Sequence, residues 1–139
     1  MARNNTVHLV ASGDIRPCRF VKISGANAGA EADANEETIG ISGDSTKGPP
    51  GISGSSTNHA ESTDPIELYG LGDECKVEAG GSFSAGDKLK SDADGKAVVS
   101  ATTGATMQNV SARALEASTG SGQLVRVVVE RDTYYPALA

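Results

Sequence analysis

Short alternations of apolar and polar residues recur along this chain and predict β-strands. The clearest two lie in residues 65–71 and 74–79. Gly72 and Asp73 separate them, and because this pair is typical of a tight turn we expect the two strands to form a hairpin. The residues expected on the core faces are Ile66, Leu68 and Gly70 in the first strand and Cys75, Val77 and Ala79 in the second.

The N-terminal third predicts three further strands, in residues 6–11, 19–24 and 38–42. In the second of these, Phe20 is expected to face the core together with Val21 or Ile23. Residues 25–34 are rich in Ala and Gly but hold no larger apolar side chain, so they predict a loop or a single weak turn.

The C-terminal part of the chain, residues 80–131, is a row of strand-like runs separated by glycine turns. Asp92-Ala93-Asp94-Gly95 has the composition of a tight turn, and the Val-rich run 124–131 predicts the last strand. A helix over residues 106–117 is the alternative to a strand at 112–117. We favour the strand, because the apolar stripe of such a helix is weak. The expected fold is all-β: a small barrel or sandwich of short antiparallel strands with long loops and little or no helix.

The order of these C-terminal elements resembles the small capsid decoration, or cement, proteins of tailed bacteriophages. The resemblance covers about fifty residues of turn and strand patterns. The matching segments are Gly86-Asp87-Lys88-Leu89, Asp92-Ala93-Asp94-Gly95-Lys96-Ala97-Val98, Ala112-Arg113-Ala114-Leu115-Glu116-Ala117 and Val125-Arg126-Val127-Val128-Val129. It implies a β-tulip-like subunit, a homotrimer, and a structural role on the outer surface of the phage head, where the partner is the major capsid protein.

Composition and charge narrow the function further. The length of 139 residues favours a single domain. The net charge is −6 and the twelve Lys and Arg are scattered, so a nucleic-acid partner is not expected. No apolar run reaches the roughly 20 residues of a membrane span, and the N-terminus lacks the apolar core of a secretory signal. We expect a protein made in the cytoplasm of the bacterial host and carried on the virion, without a membrane partner.

No residue pattern in the chain predicts catalysis or a cofactor. Cys18 and Cys75 match no metal or redox spacing and are expected to be reduced, buried thiols. Asp92 and Asp94 precede a Gly as in a calcium loop, but the further oxygen ligands of such a loop are missing, which favours a simple turn. His8 and His59 have no neighbouring nucleophile, so neither predicts a general base. We therefore expect no enzyme activity and no bound cofactor or metal.

Three segments flank or interrupt the predicted β-domain: a flexible N-terminal arm over residues 1–6, a long polar loop over about 43–64, and an extended tail over about 132–139. The loop is either a solvated insertion or an arm that orders against a neighbouring subunit. Given the resemblance, these segments supply the candidate capsid or subunit contacts. They are Ala2, Arg3, Asn4, Asn5, Pro49, Pro50, Ile52, Tyr134, Tyr135 and Pro136.

Two other functions fit the sequence less well. A virion-surface or tail-associated module that recognises host glycans would need exposed aromatic platforms, but the chain has no Trp and only five Phe and Tyr residues. A small trimeric nucleotide hydrolase would need a carboxylate cluster and phosphate-binding loops that this sequence does not assemble.

Overall fold

The structure is a computed structural model that describes residues 7–43 and 63–136. These residues form twelve β-strands and no α-helix, which confirms the predicted all-β class. The strands are Val7–Ala11 (β1), Phe20–Gly25 (β2), Ala28–Glu31 (β3), Gly40–Ser42 (β4), Pro65–Tyr69 (β5), Glu74–Glu78 (β6), Ser82–Phe83 (β7), Lys88–Ser91 (β8), Ala97–Val99 (β9), Gln108–Ala114 (β10), Ser118–Thr119 (β11) and Leu124–Tyr134 (β12).

The first five strands close into a small barrel in the order β1-β3-β2-β4-β5. All neighbours are antiparallel except β1 and β3, which run parallel with Val10 opposite Ala28. A closed barrel of five strands has little space inside, and at two positions that space admits only a glycine. A Cβ on Gly29 would press against Leu9 and Val21, and one on Gly40 would collide with the Tyr69 carbonyl oxygen. The barrel core consists of Ala11, Ile15, Val21, Ile66 and Leu68, with Val7, Leu9 and Ile39 packed against it.

The other strands form an antiparallel sheet in the order β6-β12-β10-β8-β9, beside a two-stranded ribbon of β7 and β11. A parallel bridge between Ala79 and Ala97 joins the end of β6 to the far edge strand, so the sheet curls towards closure. Its concave face carries the larger core. That core consists of Phe20, Ala32, Ile41, Cys75, Val77, Ala79, Phe83, Leu89, Ala97, Ala112, Ala114, Val125, Val127 and Val129.

Strand β2 contributes side chains to both hydrophobic cores. Phe20 and Val21 are adjacent and both are fully buried, yet they belong to different cores. Because successive side chains of a strand point to opposite faces, Val21 fills the barrel while Phe20 packs under the second sheet. Ile23, the other residue expected in the core, is 54% exposed, so of the two alternatives Val21 is the buried one.

The hairpin expected across Gly72 and Asp73 is wrong. The predicted inward faces of both strands are confirmed, but β5 belongs to the barrel and β6 to the second sheet. Gly72 adopts a φ of 88°, and its N–H donates to the carbonyl oxygen of Val129 over 2.8 Å. Asp73 in turn accepts a hydrogen bond from the N–H of Val129. The turn is therefore bonded to β12, which draws the chain away from the barrel.

Two other boundaries differ from the prediction. Residues 25–34, expected as a loop, contain strand β3, because small residues are what the inside of a tight barrel admits next to Leu9 and Val21. The tail expected from residue 132 starts later. Residues 132–134 belong to β12, where Asp132 and Tyr134 lie opposite Val110 and Gln108.

Other predictions are confirmed. The segment Asp92–Gly95 is a turn between β8 and β9, with Gly95 at a φ of 77°. The strand preferred over a helix at residues 112–117 is the end of β10, which continues as far as Ala114. Cys18 and Cys75 are both buried thiols.

Among the described residues we find no helical segment with the length and hydrophobicity of a membrane span.

The close approach of β4 and β5 gives a stability test. We expect Gly40→Ala to destabilise the fold by about 1–3 kcal/mol, because the added Cβ would force the two strands apart. Chemical denaturation monitored by circular dichroism measures the change. Gly81→Ala is the control, since a Cβ there meets nothing within 4 Å. Equal losses of stability in the two variants would show that the barrel can accommodate a Cβ at residue 40 and would contradict this explanation.

Candidate functional site

The described residues offer no candidate metal-binding cluster. No cluster of three or more His, Cys, Asp or Glu side chains in residues 7–43 and 63–136 is placed to hold a metal ion. His8 is an exposed side chain whose Nδ1 lies 3.8 Å from a carboxylate oxygen of Glu67. Asp92 serves its own turn by accepting hydrogen bonds from the N–H groups of Asp94 and Lys96, at 2.8 and 2.9 Å. The remaining candidate sites are therefore surfaces and junctions.

A buried arginine joins the barrel to the second sheet. The Arg19 side chain, 7% exposed, donates through Nη1 to the carbonyl oxygen of Asp94 at 2.9 Å and through Nη2 to Glu78 at 3.3 Å. The other oxygen of Glu78 lies 3.3 Å from Nζ of Lys96. The backbone is tied at the same place, since the N–H of Phe20 donates to the carbonyl of Gly95. This junction fixes the β8–β9 turn against the start of β2.

Next to it, Arg16 and Glu31 form a two-pronged ion pair within the barrel. Nε and Nη2 of Arg16 donate to the two carboxylate oxygens at 3.0 and 2.8 Å, and the Arg16 backbone N–H donates at 2.7 Å. Burial of Glu31 by itself raises the pKa of its carboxyl. The hydrogen bonds from Arg16 outweigh that effect and hold the pKa below its ordinary value of 4.5.

A pair of asparagines ties the loop after β3 to β10. The Asn35 side chain donates to the carbonyl of Met107 at 2.6 Å and accepts from the N–H of Asn109 at 3.0 Å. The side-chain amide of Asn109 donates in return to the backbone carbonyl of Asn35 at 2.9 Å. Asn35 has a φ of 59°, a left-handed conformation that asparagine tolerates better than most residues.

An open groove lies beside this asparagine pair. It has a volume of about 530 Å³ and is lined by residues of the barrel and its loops together with one residue each of β10 and β12. The lining residues combine two apolar barrel side chains with charged and amide groups. They are Lys22, Ile23, Asn35, Glu36, Glu37, Thr38, Ile39, Asn109 and Arg131.

Of the candidate contact residues, only the C-terminal three lie in the described part of the chain. Tyr134 makes contacts within its own chain: its hydroxyl donates to the carbonyl of Ala101 at 2.6 Å, and Nζ of Lys88 lies 5.1 Å from the ring centroid. Tyr135 is 46% exposed and Pro136 is buried. The other candidates, Ala2, Arg3, Asn4, Asn5, Pro49, Pro50 and Ile52, lie outside the described residues.

None of the three described candidates lines the groove. The residues that do line it were not predicted from the sequence. Lys22, Asn35 and Arg131 lie far apart along the chain, and no motif links them. The role of Arg19 could have been found from sequence, because this arginine directly precedes two apolar residues, Phe20 and Val21, that are both buried. An arginine at the edge of a core is usually ion-paired.

These features define a class of fold, a small closed β-barrel joined along one strand to a curled antiparallel sheet. No protein family model matches the chain, and no curated protein sequence matches it. Among solved structures, the fold is similar to the crystal structure of the head fiber gp8.5 N base of bacteriophage phi29. The TM-score is 0.63 and the sequence identity is 21%, over 93% of this chain and 96% of that chain. At this identity the likeness shows a shared fold.

The Arg16–Glu31 pair predicts a pH-dependent stability. We expect Glu31→Gln to cost about 1 kcal/mol at pH 7, a value reduced because Arg16 is 45% exposed. A carboxyl with a lowered folded-state pKa stabilises the protein above its unfolded-state pKa. The difference between wild type and variant should therefore be complete at neutral pH and shrink as the pH falls below about 4.5.

Urea unfolding of both proteins across pH 3 to 7 measures this difference. Glu67→Gln is the matched control, because Glu67 is a 74% exposed carboxylate. A stability difference for Glu31→Gln that stays constant down to pH 3 would contradict the ion-pair explanation.

Proposed function

We propose that this chain is a structural protein of a bacteriophage virion, located at the head. The single observation that carries the proposal is the likeness to the phi29 head fiber N base, which extends over nearly the full length of both chains. A fold alone does not define a function, since one fold hosts many. Here the fold agrees with the resemblance of the C-terminal segments to phage decoration proteins.

In its finer form the proposal is a decoration, or cement, protein that binds the outer surface of the head and stabilises contacts between major capsid protein subunits. The segments that carry the resemblance all belong to the curled sheet or its turns, from β8 to β12. A capsid presents many identical sites, so several modest contacts held in one rigid assembly give far tighter binding than one contact alone. A protein of this kind needs a rigid scaffold and complementary surfaces, but no cofactor.

The outer face of the curled sheet fits a surface turned towards solvent. Its charges are arranged as ion pairs of Arg113 with Glu130 and Lys88 with Asp132, while Arg126 bridges two glutamates. Exposed pairs of this kind add little stability, but they leave no strong unbalanced field. The barrel and the ends of the strands are therefore the better candidates for the capsid-facing side.

Glycan recognition has less support. Phe20 and Phe83 are buried in the core, and the Tyr134 ring is covered by Lys88 and hydrogen-bonded through its hydroxyl. Among the described residues, Tyr69 and Tyr135 are the exposed aromatic side chains. Sugar binding usually needs a platform of several exposed aromatic rings.

Cosedimentation tests the virion role. We expect the purified protein to bind mature, expanded phage heads that lack it, and to saturate at a fixed number of copies per major capsid subunit, because lattice sites are identical. Quantitative gel electrophoresis of the pelleted heads gives the ratio. Unexpanded proheads are the control and should bind weakly or not at all. Absence of binding to every head form would refute the proposal.

A homotrimer is the oligomer we propose, because three linked copies of one modest patch would match a three-fold capsid site. Sedimentation velocity of the purified protein should show a single species of three times the chain mass at micromolar concentration. A monomer over the whole concentration range, combined with saturable head binding, would remove the trimer but keep the virion role.

A further inference from the structure

Strand β12 has an open edge over its last third. It is eleven residues long, but β6 pairs only with Leu124–Val128, and the turn at Gly72 and Asp73 takes up Val129. Beyond that point β10 lies on one side, and no strand of the described chain lies on the other. The N–H of Thr133 donates to the carboxylate of Asp132 at 2.9 Å, a local partner within its own strand. Residues 130–134 therefore present backbone groups that another strand could pair with.

The groove described above shares a residue with this part of the strand, because Arg131 both belongs to the open part of β12 and lines the groove. Ile23 and Ile39 supply the apolar part of the lining, and Ile23 is 54% exposed, more than any other Ile or Val of the described core strands. Strand-adding peptide sites combine backbone pairing at an open strand edge with pockets for the side chains of the peptide. Edge and groove point independently to the same kind of ligand.

The charges of the groove indicate what that ligand carries. Lys22 is already bridged to Glu36 at 2.9 Å and to Asp33 at 3.4 Å, which raises the pKa of its ammonium group. Glu36 and Glu37 line the same groove, but Arg131 forms no ion pair with an acidic side chain of the described residues. A carboxylate on the ligand would complement this free guanidinium, and the planar fork of arginine suits two-pronged contact with it.

We propose that the open edge of β12 and the adjoining groove bind an extended peptide segment of a partner protein. The segment adds as a strand along residues 131–133, places an apolar side chain against Ile23 and Ile39, and directs an Asp or Glu to Arg131. This inference rests on the proposed function, and it names the kind of contact by which the protein would attach to the head. Backbone pairing supplies affinity, while the isoleucines and the arginine supply selectivity.

Three variants test the three components of this site by cosedimentation with heads that lack the protein. Arg131→Glu reverses the charge, Ile23→Thr removes apolar surface, and Thr133→Pro removes an N–H from the open edge. We expect each to weaken head binding about tenfold or more, since removal of a central contact of an interface has effects of this size. Circular dichroism should show each variant folded, because residues 23, 131 and 133 lie outside both cores.

Matched controls lie away from the groove. Lys76→Glu makes the same charge change on an exposed position of β6, and Val10→Thr replaces a 41% exposed β-branched residue of β1. Both should bind heads like wild type. If Arg131→Glu and Ile23→Thr also bind like wild type, the inference fails while the proposed function stands. If wild type itself does not bind heads, both fall.

Two further results would identify another occupant and overturn the proposal. Loss of trimer mass on sedimentation velocity in Arg131→Glu or Ile23→Thr would show that a second copy of this chain fills the groove. A large fall in unfolding temperature of the isolated variant, matched by a version lacking residues 2–6, would show that the chain's own N-terminal segment fills it.

Discussion

The whole structure depends on one strand whose first two residues are buried on opposite faces. Phe20 and Val21 in β2 occupy separate cores, so the barrel and the curled sheet cannot separate without exposing one of them. Burial of a large apolar side chain is worth about 1.5–3 kcal/mol, and here it is reinforced by polar contacts of Arg19 with Glu78 and with the Asp94 carbonyl. With very few aromatic residues, the chain gains its core by sharing one strand between two layers.

The alternation of apolar and polar residues correctly predicted the buried residues of strands that have one buried face. In β5 and β6 the inward residues Ile66, Leu68, Cys75 and Val77 follow from the pattern alone. The pattern could not show which strands pair, because a turn of Gly and Asp serves a hairpin and a crossing between layers equally well. The bond between Gly72 and Val129 decides the outcome, and it joins residues far apart in sequence.

The candidate site was less accessible from sequence than the fold. Strand β3 was not predicted because its buried residue is Gly29, which fits against Leu9 and Val21 inside the narrow barrel, so the segment lacks the apolar alternation of a strand. The groove arises where the barrel meets the ends of β10 and β12, so its residues share no local pattern. Tyrosines 134 and 135 stood out in the sequence, yet the structure uses the first of them to hold the loop before β10.

Two backbone hydrogen bonds hold the ends of the connection between β4 and β5, and they bear on how insertions in that connection would affect the barrel. Gly43 is bonded through its carbonyl to the N–H of Cys18, and Thr63 through its N–H to the carbonyl of Ala11. These two bonds anchor the chain just after β4 and just before β5 to the barrel. For a flexible connection, each doubling of length between such fixed ends costs only about 0.6 kcal/mol of closure entropy. Insertions between these anchors, including foreign peptides for display, can therefore be accommodated at little expense to the barrel.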